Sequence, residues 1–189
     1  MPITISFELS DADLEHFREM AREAQEKVLS KDMDAGKIAA AAREIFEHAQ
    51  GEVKLPDFIA ERLEKLEVLV KIVSDEEWRL PEEDLTRVLS AMAYFIDPED
   101  LIPDRVPVIG FLDDAIMAEL VAEDLEPEIA SYQEFDAFRS AEEQRRQNQG
   151  LPTEVGREDW LADKRAVLHH RMRERRRARS PSPARVSLW

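Results

Sequence analysis

The chain contains no cysteine, only five glycines and only two tyrosines among its 189 residues. Without cysteine it can form no disulfide, no thiolate zinc site and no cysteine nucleophile. The scarcity of glycine argues against sandwiches and barrels, which depend on glycine-rich turns and β-branched strands. Charged residues, by contrast, make up 36% of the chain, and Ala, Leu, Glu and Arg are abundant. Since these residues favour long solvated helices, the composition predicts an all-α protein.

Motifs of nucleophile-centred and phosphate-binding enzymes are also missing. The sequence has no glycine-rich phosphate loop, no Gly-x-Ser-x-Gly and no His-Glu-x-x-His. His16 and His48 are single residues on predicted helices, and His169-His170 has no acidic or cysteine partner nearby. We therefore expect no cofactor and favour a non-enzymatic protein.

The apolar runs are too short for a membrane span. A spanning helix needs about 20 apolar residues, whereas the run from Val88 to Ile96 is short and the next one is interrupted by Asp113, Asp114 and Glu119. The N-terminus lacks the basic region and the long apolar stretch of a signal peptide. These features predict a cytoplasmic protein that does not span a membrane.

Charge is distributed unevenly around a net value of −16. Residues 157–189 hold ten basic and four acidic residues, a charge of +6, so residues 1–156 carry −22. Such an acidic body repels nucleic acid and anionic lipid, so contact with either would have to involve the tail.

Apolar periodicity and capping residues predict the helices. The first begins after a capping-box variant formed by Ser10 and Asp13, and the third carries four-spaced ion pairs from Glu61 to Lys65 and from Glu67 to Lys71. The predicted helices span residues 11–29, about 38–51, 56–73, 81–96, 110–126, a restart at Pro127 to about 147, and 157–178.

We therefore expect a compact bundle of about six helices within an acidic domain, residues 1–150, followed by a basic helix and a disordered end, residues 151–189. The boundary is placed at Gly150-Leu151-Pro152. Residues 3–9 alternate apolar and polar side chains, which predicts one short strand. Its candidate partners within the chain are the short stretches at residues 53–55 and 186–189. Either a small ribbon forms with one of them or, as we favour, the strand pairs with its copy across a homodimer.

The stretch from Leu89 to Ala115 combines unusual residues in a fixed order. An apolar helix is followed by Pro-x-Asp-Leu-Ile-Pro-Asp, then by a proline and a glycine, then by Leu-Asp-Asp opening another apolar helix. This stretch resembles the core of the YkvA-like family of bacterial proteins, and the resembling segment extends over about residues 82–126. The family has no established activity that the resemblance could imply. Some relatives carry the two apolar helices as a membrane-associated hairpin.

The motif has a structural interpretation. Its three prolines stiffen the connection, and its aspartates are placed to accept backbone N–H groups in turns and at a helix start. The residues assigned these structural roles are Pro98, Asp100, Leu101, Ile102, Pro103, Asp104, Pro107, Gly110, Asp113 and Asp114. The alternative is a divalent-metal site or metal-dependent enzyme that uses the carboxylates of Asp100, Asp104, Asp113 and Asp114. Against it, the motif lacks histidine and EF-hand spacing.

The favoured function is a cytoplasmic interaction or scaffold module with an unidentified protein partner or a second copy of itself. Its basic tail would contact a polyanion, which could be nucleic acid, anionic lipid or the acidic body. Trp160 would anchor the tail helix to the body or to a partner. A peripheral membrane protein using the apolar hairpin and the arginines is a further alternative. The predicted tail contacts are Trp160, Lys164, Arg165, Arg171, Arg173, Arg175, Arg176, Arg177 and Arg179.

Overall fold

The computed structural model describes residues 9–29, 36–37, 40–44, 47, 57–96 and 111–179. The secondary structure within these ranges is helical, which confirms the all-α fold class. The predicted strand at residues 3–9 lies outside the described residues except for Leu9, which is not part of a strand. The chain divides into two compact units. Unit 1 comprises residues 1–74 and 81–124, and unit 2 comprises residues 75–80 and 125–189.

Unit 1 contains four described α-helices, and each starts or ends where a local signal predicts. They are α1 (Asp11–Leu29), α2 (Asp57–Ser74), α3 (Glu82–Ala91), which continues into a 3₁₀ helix (Met92–Ile96), and α4 (Leu112–Asp124). Residues 36–37, 40–44 and 47 are also helical.

The predicted capping box is present at the start of α1. The Ser10 hydroxyl and backbone N–H both donate to the Asp13 carboxylate, at 2.7 and 2.8 Å, and the Asp13 N–H donates back to the hydroxyl. These hydrogen bonds hold the pKa of Asp13 below its usual value, with the hydroxyl as the main cause. The reciprocal bonds satisfy backbone donors that the first turn leaves open, which fixes the start of the helix.

The core of unit 1 is built where α2 packs against α4. Ile59 and Leu63 of α2 are buried against Phe111 and Ala115, with Leu112 beside them. In the same unit, α1 contacts α3, the 3₁₀ helix and α4. The apolar stripe predicted for α2 is therefore its buried face.

Unit 2 is a hairpin of two long helices, α5 (Glu126–Asn148) and α6 (Arg157–Arg179), which pack along each other. Pro127 lies in the first turn of α5, as predicted from its fixed φ and missing N–H. Gly150 ends the helix region with a φ of 65°, a left-handed conformation that suits glycine. The predicted boundary at residue 150 consequently falls between α5 and α6, inside unit 2.

Unit 2 also includes residues 75–80, the connection between α2 and α3, which we call the insert. Trp78 of the insert is fully buried together with Leu125, Phe135, Leu161 and Leu168. The core of unit 2 is thus assembled from three pieces, the two consecutive helices of the hairpin and an insert that is remote from them in sequence.

No helix in the described ranges is both long enough and apolar enough to span a membrane, in agreement with the prediction.

Candidate functional site

The predicted aspartate cluster is described at two of its four positions. Asp113 and Asp114 lie in the first turn of α4, and only 2% and 5% of their surfaces are exposed. A third buried carboxylate, Asp84, lies in the first turn of α3 and was not among the predicted site residues. Carboxylates are favoured at helix starts, where free N–H groups carry partial positive charge.

The remaining motif residues, including Asp100 and Asp104, lie outside the described residues. The others are Pro98, Leu101, Ile102, Pro103, Pro107 and Gly110. Within the described part of the chain, no group of three or more His, Cys, Asp or Glu side chains is arranged to hold a metal ion. The metal site therefore stays a prediction that depends on Asp100 and Asp104.

Unit 2 contains a cluster of aromatic and charged side chains around Trp78. The indole ring packs edge-on against Tyr132 and His169, with centroid distances of 5.8 and 4.3 Å, and tilted against Phe135 at 5.1 Å. Full burial of a tryptophan removes roughly 150–250 Å² from water, which contributes up to about 4–6 kcal/mol. Trp78 is therefore the main apolar attachment of the insert to the hairpin.

Asp75 fixes the shape of the insert and its position on the hairpin at once. One carboxylate oxygen accepts the backbone N–H groups of Glu77 and Trp78, at 2.8 and 3.1 Å. The other accepts the Tyr132 hydroxyl at 3.0 Å and the Arg139 guanidinium at 2.8 Å. Both oxygens of this carboxylate are thus used, one within the turn and one by α5.

Glu77 is held by arginines from both helices of the hairpin. Its carboxylate accepts from Arg139 of α5 at 3.0 Å and from two nitrogens of Arg157 of α6, one of them at 2.8 Å. Its backbone carbonyl accepts from Arg165 at 2.7 Å. The Arg157 hydrogen bond is the largest cause that holds the pKa of Glu77 below its usual value, and Arg139 adds to it.

Burial and the neighbouring Asp75 carboxylate raise the pKa of Tyr132 well above its usual value. The Tyr132 hydroxyl therefore keeps its proton and acts as a donor to Asp75.

The basic side chains predicted as tail contacts lie on α6, and several of them pair with acidic residues of α5. Lys164 and Arg171 share Glu134, at 2.9 and 2.7 Å, and lower its pKa, with the Lys164 hydrogen bond as the larger cause. Arg176 pairs with the fully buried Glu128 at 3.1 Å, and Arg179 pairs with Glu126 at 2.7 Å.

The other predicted tail arginines have different surroundings. Arg165 pairs with Glu158 on its own helix, and Arg177, which is 76% exposed, lies 3.6 Å from Glu174. Arg173 is half-buried and Arg175 is exposed. The basic face of α6 is therefore turned in large part towards carboxylates of the same unit.

Trp160 contacts α5 near the end of the hairpin where α5 and α6 are connected. Its ring packs edge-on against Phe138 at 6.0 Å, and the guanidinium groups of Arg146 and Arg157 lie 5.3 and 5.4 Å from its centroid. The partner of Trp160 in the structure is thus the neighbouring helix.

Residues 84–120 match a family model described as a protein of unknown function, DUF1232. The YkvA-like resemblance is consistent with this family and is confirmed. The DUF1232 match covers 37 of the 189 residues, and it contains Asp84, Asp113 and Asp114, the three carboxylates that are buried among the described residues of unit 1. No curated protein and no solved structure matches the chain. The insert and both helices of the hairpin lie outside the DUF1232 segment.

Sequence reasoning did not identify the insert, and two signals could have pointed to it. Trp78 is one of only three tryptophans, and it stands in a short connection between two helices instead of on a helical stripe. It is also preceded by Asp75 and Glu77 in a chain whose tail is rich in arginine. A tryptophan in such a connection is usually buried against something.

Proposed function

We propose that this protein is a non-enzymatic cytoplasmic interaction module, with the α5–α6 hairpin as its protein-binding element. One observation carries the proposal: the aromatic and charged side chains of the hairpin are engaged in holding a peptide segment, the insert, that is remote in sequence. Side chains used in this way supply recognition rather than proton transfer or nucleophilic attack.

The distribution of charge in the hairpin supports the same function. Arg139 and Arg157 each bridge more than one carboxylate, and the basic residues of α6 face Glu126, Glu128 and Glu134. Arginine, tyrosine and tryptophan are the residues that most often dominate protein–protein binding energy. The DUF1232 segment would then have a structural role, with Asp113 and Asp114 stabilising the start of α4.

The test measures the mass of the protein after it has been isolated from its own cells, at its native expression level and in physiological salt. We expect native mass spectrometry to find the chain in an assembly of fixed stoichiometry with another protein. A protein that is recovered only as a single, unaccompanied chain would contradict the proposal. A chain carrying Arg145→Gln, a change on the exposed face of α5, serves as the control and should keep the assembly.

A further inference from the structure

The insert lies on the hairpin in the manner of a short linear motif on its receptor. Its centre is Trp78, which is fully buried, and around it the carboxylates of Asp75 and Glu77 pair with arginines. Protein–protein interfaces share this arrangement, in which a desolvated aromatic anchor is surrounded by a polar rim that excludes water.

Three side chains of the insert contact a shared set of residues on the hairpin. Asp75 is bound by Tyr132 and Arg139, and the Glu77 carboxylate by Arg139 and Arg157. The indole fits among Tyr132, Phe135 and His169. The hairpin therefore contacts the side chains of the insert at three positions.

The backbone of the insert is also held away from its preferred conformation. Arg79, directly after the anchor, has a φ of 47°, which is uncommon for a residue other than glycine. Such conformations persist where surrounding contacts over-determine them, and they cluster at binding sites. The contacts of Asp75, Glu77 and Trp78 supply this constraint.

We propose that the groove between α5 and α6 is a recognition site for a partner protein segment of the form acidic-x-acidic-Trp, and that the insert occupies it as an internal ligand. This inference rests on the proposed function and names the chemistry of the partner. Guanidinium groups keep their charge at all physiological pH values and match carboxylates with two parallel hydrogen bonds. The groove is consequently selective for acidic rather than basic segments.

The insert, being tethered, competes at an effective concentration on the order of millimolar. A partner segment can bind only after the insert has left the groove. The insert therefore raises the concentration of partner that is needed for binding.

The experiment uses the full chain with Asp75→Ala, Glu77→Ala and Trp78→Ala together, which removes the three recognised side chains. The probe is a synthetic peptide with the sequence of residues 74–81, labelled for fluorescence anisotropy at physiological salt. We expect saturable binding to the triple variant and at least tenfold weaker binding to the parent chain, whose groove is filled. The peptide should also raise the melting temperature of the triple variant by several degrees, because a ligand that binds only the folded state stabilises it.

Changes in the peptide and in the groove make the test specific. A peptide with alanine in place of the tryptophan should bind at least tenfold more weakly. Adding Arg139→Gln to the triple variant should weaken binding about tenfold, whereas Arg145→Gln, the matched change on the same helix, should leave it unchanged. The melting measurement keeps the test valid if the triple variant is poorly folded, since a fitting peptide restores the fold.

Three results would overturn the inference. They are the absence of both binding and thermal stabilisation at millimolar peptide, equal binding of the alanine peptide, and a parent chain that forms a dimer which Trp78→Ala dissociates. The last result would identify a second copy as the donor of the segment. If the peptide fails while the native assembly is found, the interaction module stands and only its partner motif is wrong.

Discussion

At the scale of single residues, the protonation of Glu77 affects the stability of unit 2. Its pKa lies below the usual value of 4.5 because Arg157 and Arg139 donate to the charged carboxylate. The unfolded chain therefore binds the proton more readily than the folded one. The stabilisation is complete above about pH 4.5 and is lost as the pH falls through the lower, folded pKa.

Glu77→Gln should lower the free energy of unfolding near pH 7 by about 1 to 2 kcal/mol, since the carboxylate is charge-assisted but one-third exposed. The difference from the parent should shrink as the pH is lowered below about 4.5. Urea unfolding at a series of pH values measures it. Glu76→Gln, which removes a charge from an exposed neighbour, is the control. A difference that grows on acidification would contradict the assignment.

Asp113 tests the two interpretations of the motif. If it stabilises the start of α4, Asp113→Asn should cost at most about 1 to 2 kcal/mol, the usual scale for cap and dipole interactions. Millimolar Mg²⁺, Ca²⁺ or Mn²⁺ should leave the melting temperature unchanged. A rise of several degrees with one of these ions in the parent, absent from the Asn variant, would establish the metal site instead.

At the scale of helices, α6 is held on α5 by apolar contacts as well as by charge. Leu161, Leu168 and Met172 are buried, while Lys164, Arg171 and Arg176 meet carboxylates. Burial of three such side chains contributes several kcal/mol, so α6 does not leave the hairpin easily. An outside polyanion must compete with both contributions.

The full chain should therefore bind a labelled oligonucleotide more weakly than a peptide of residues 157–189. Binding of the peptide should fall steeply with salt, because each phosphate contact releases about one counterion. Anisotropy at two salt concentrations compares the peptide, the full chain and a chain ending at Gly150. Equal affinity of the full chain and the peptide would show that α5 does not mask the arginines. If none of them binds at low salt, the polyanion contact is wrong.

Local signals predicted the helices closely, and contacts between distant residues account for what they missed. Caps, prolines and apolar stripes act within one or two turns, so α2, α5 and α6 begin and end within a residue or two of prediction. Of the two predicted four-spaced pairs, Glu67 does meet Lys71, at 2.8 Å. Lys65 instead binds Glu119 of α4, at 2.6 Å, and no local rule identifies that partner.

The features of the candidate sites were likewise predictable where they depend on local sequence, and not where they depend on how the helices pack. The position of Asp113 and Asp114 in the first turn of α4 followed from the motif, because a helix start is a local feature. The opposite charges of α5 and α6 were visible in the sequence, but the pairing of Lys164 and Arg171 with Glu134 depends on how the helices pack. The role of Trp78 could not follow from periodicity, since the insert has none.

At the scale of the whole molecule, the predicted strand at residues 3–9 gives a test of self-association. Light scattering should find the full-length protein as a dimer, and deletion of residues 1–9 should convert it to a monomer, because the alternating segment has no convincing partner within the chain. A full-length protein that is already a monomer would rule out this contact. The deletion leaves α1 intact from Asp11, although it removes the residue before the Ser10 cap.

The three-piece construction of unit 2 has a consequence for protein synthesis. Trp78 leaves the ribosome 91 residues before His169 of α6, whose ring packs against the indole. Protein synthesis adds about 5–20 residues per second, so roughly 5 to 18 s pass between the emergence of Trp78 and the emergence of its partners on α6. During that interval the tryptophan side chain is exposed on the nascent chain, and exposed apolar surface is what chaperones bind. Slow translation of residues 79–168, which lengthens this interval, should therefore lower the yield of correctly folded protein more than slow translation of residues 1–77.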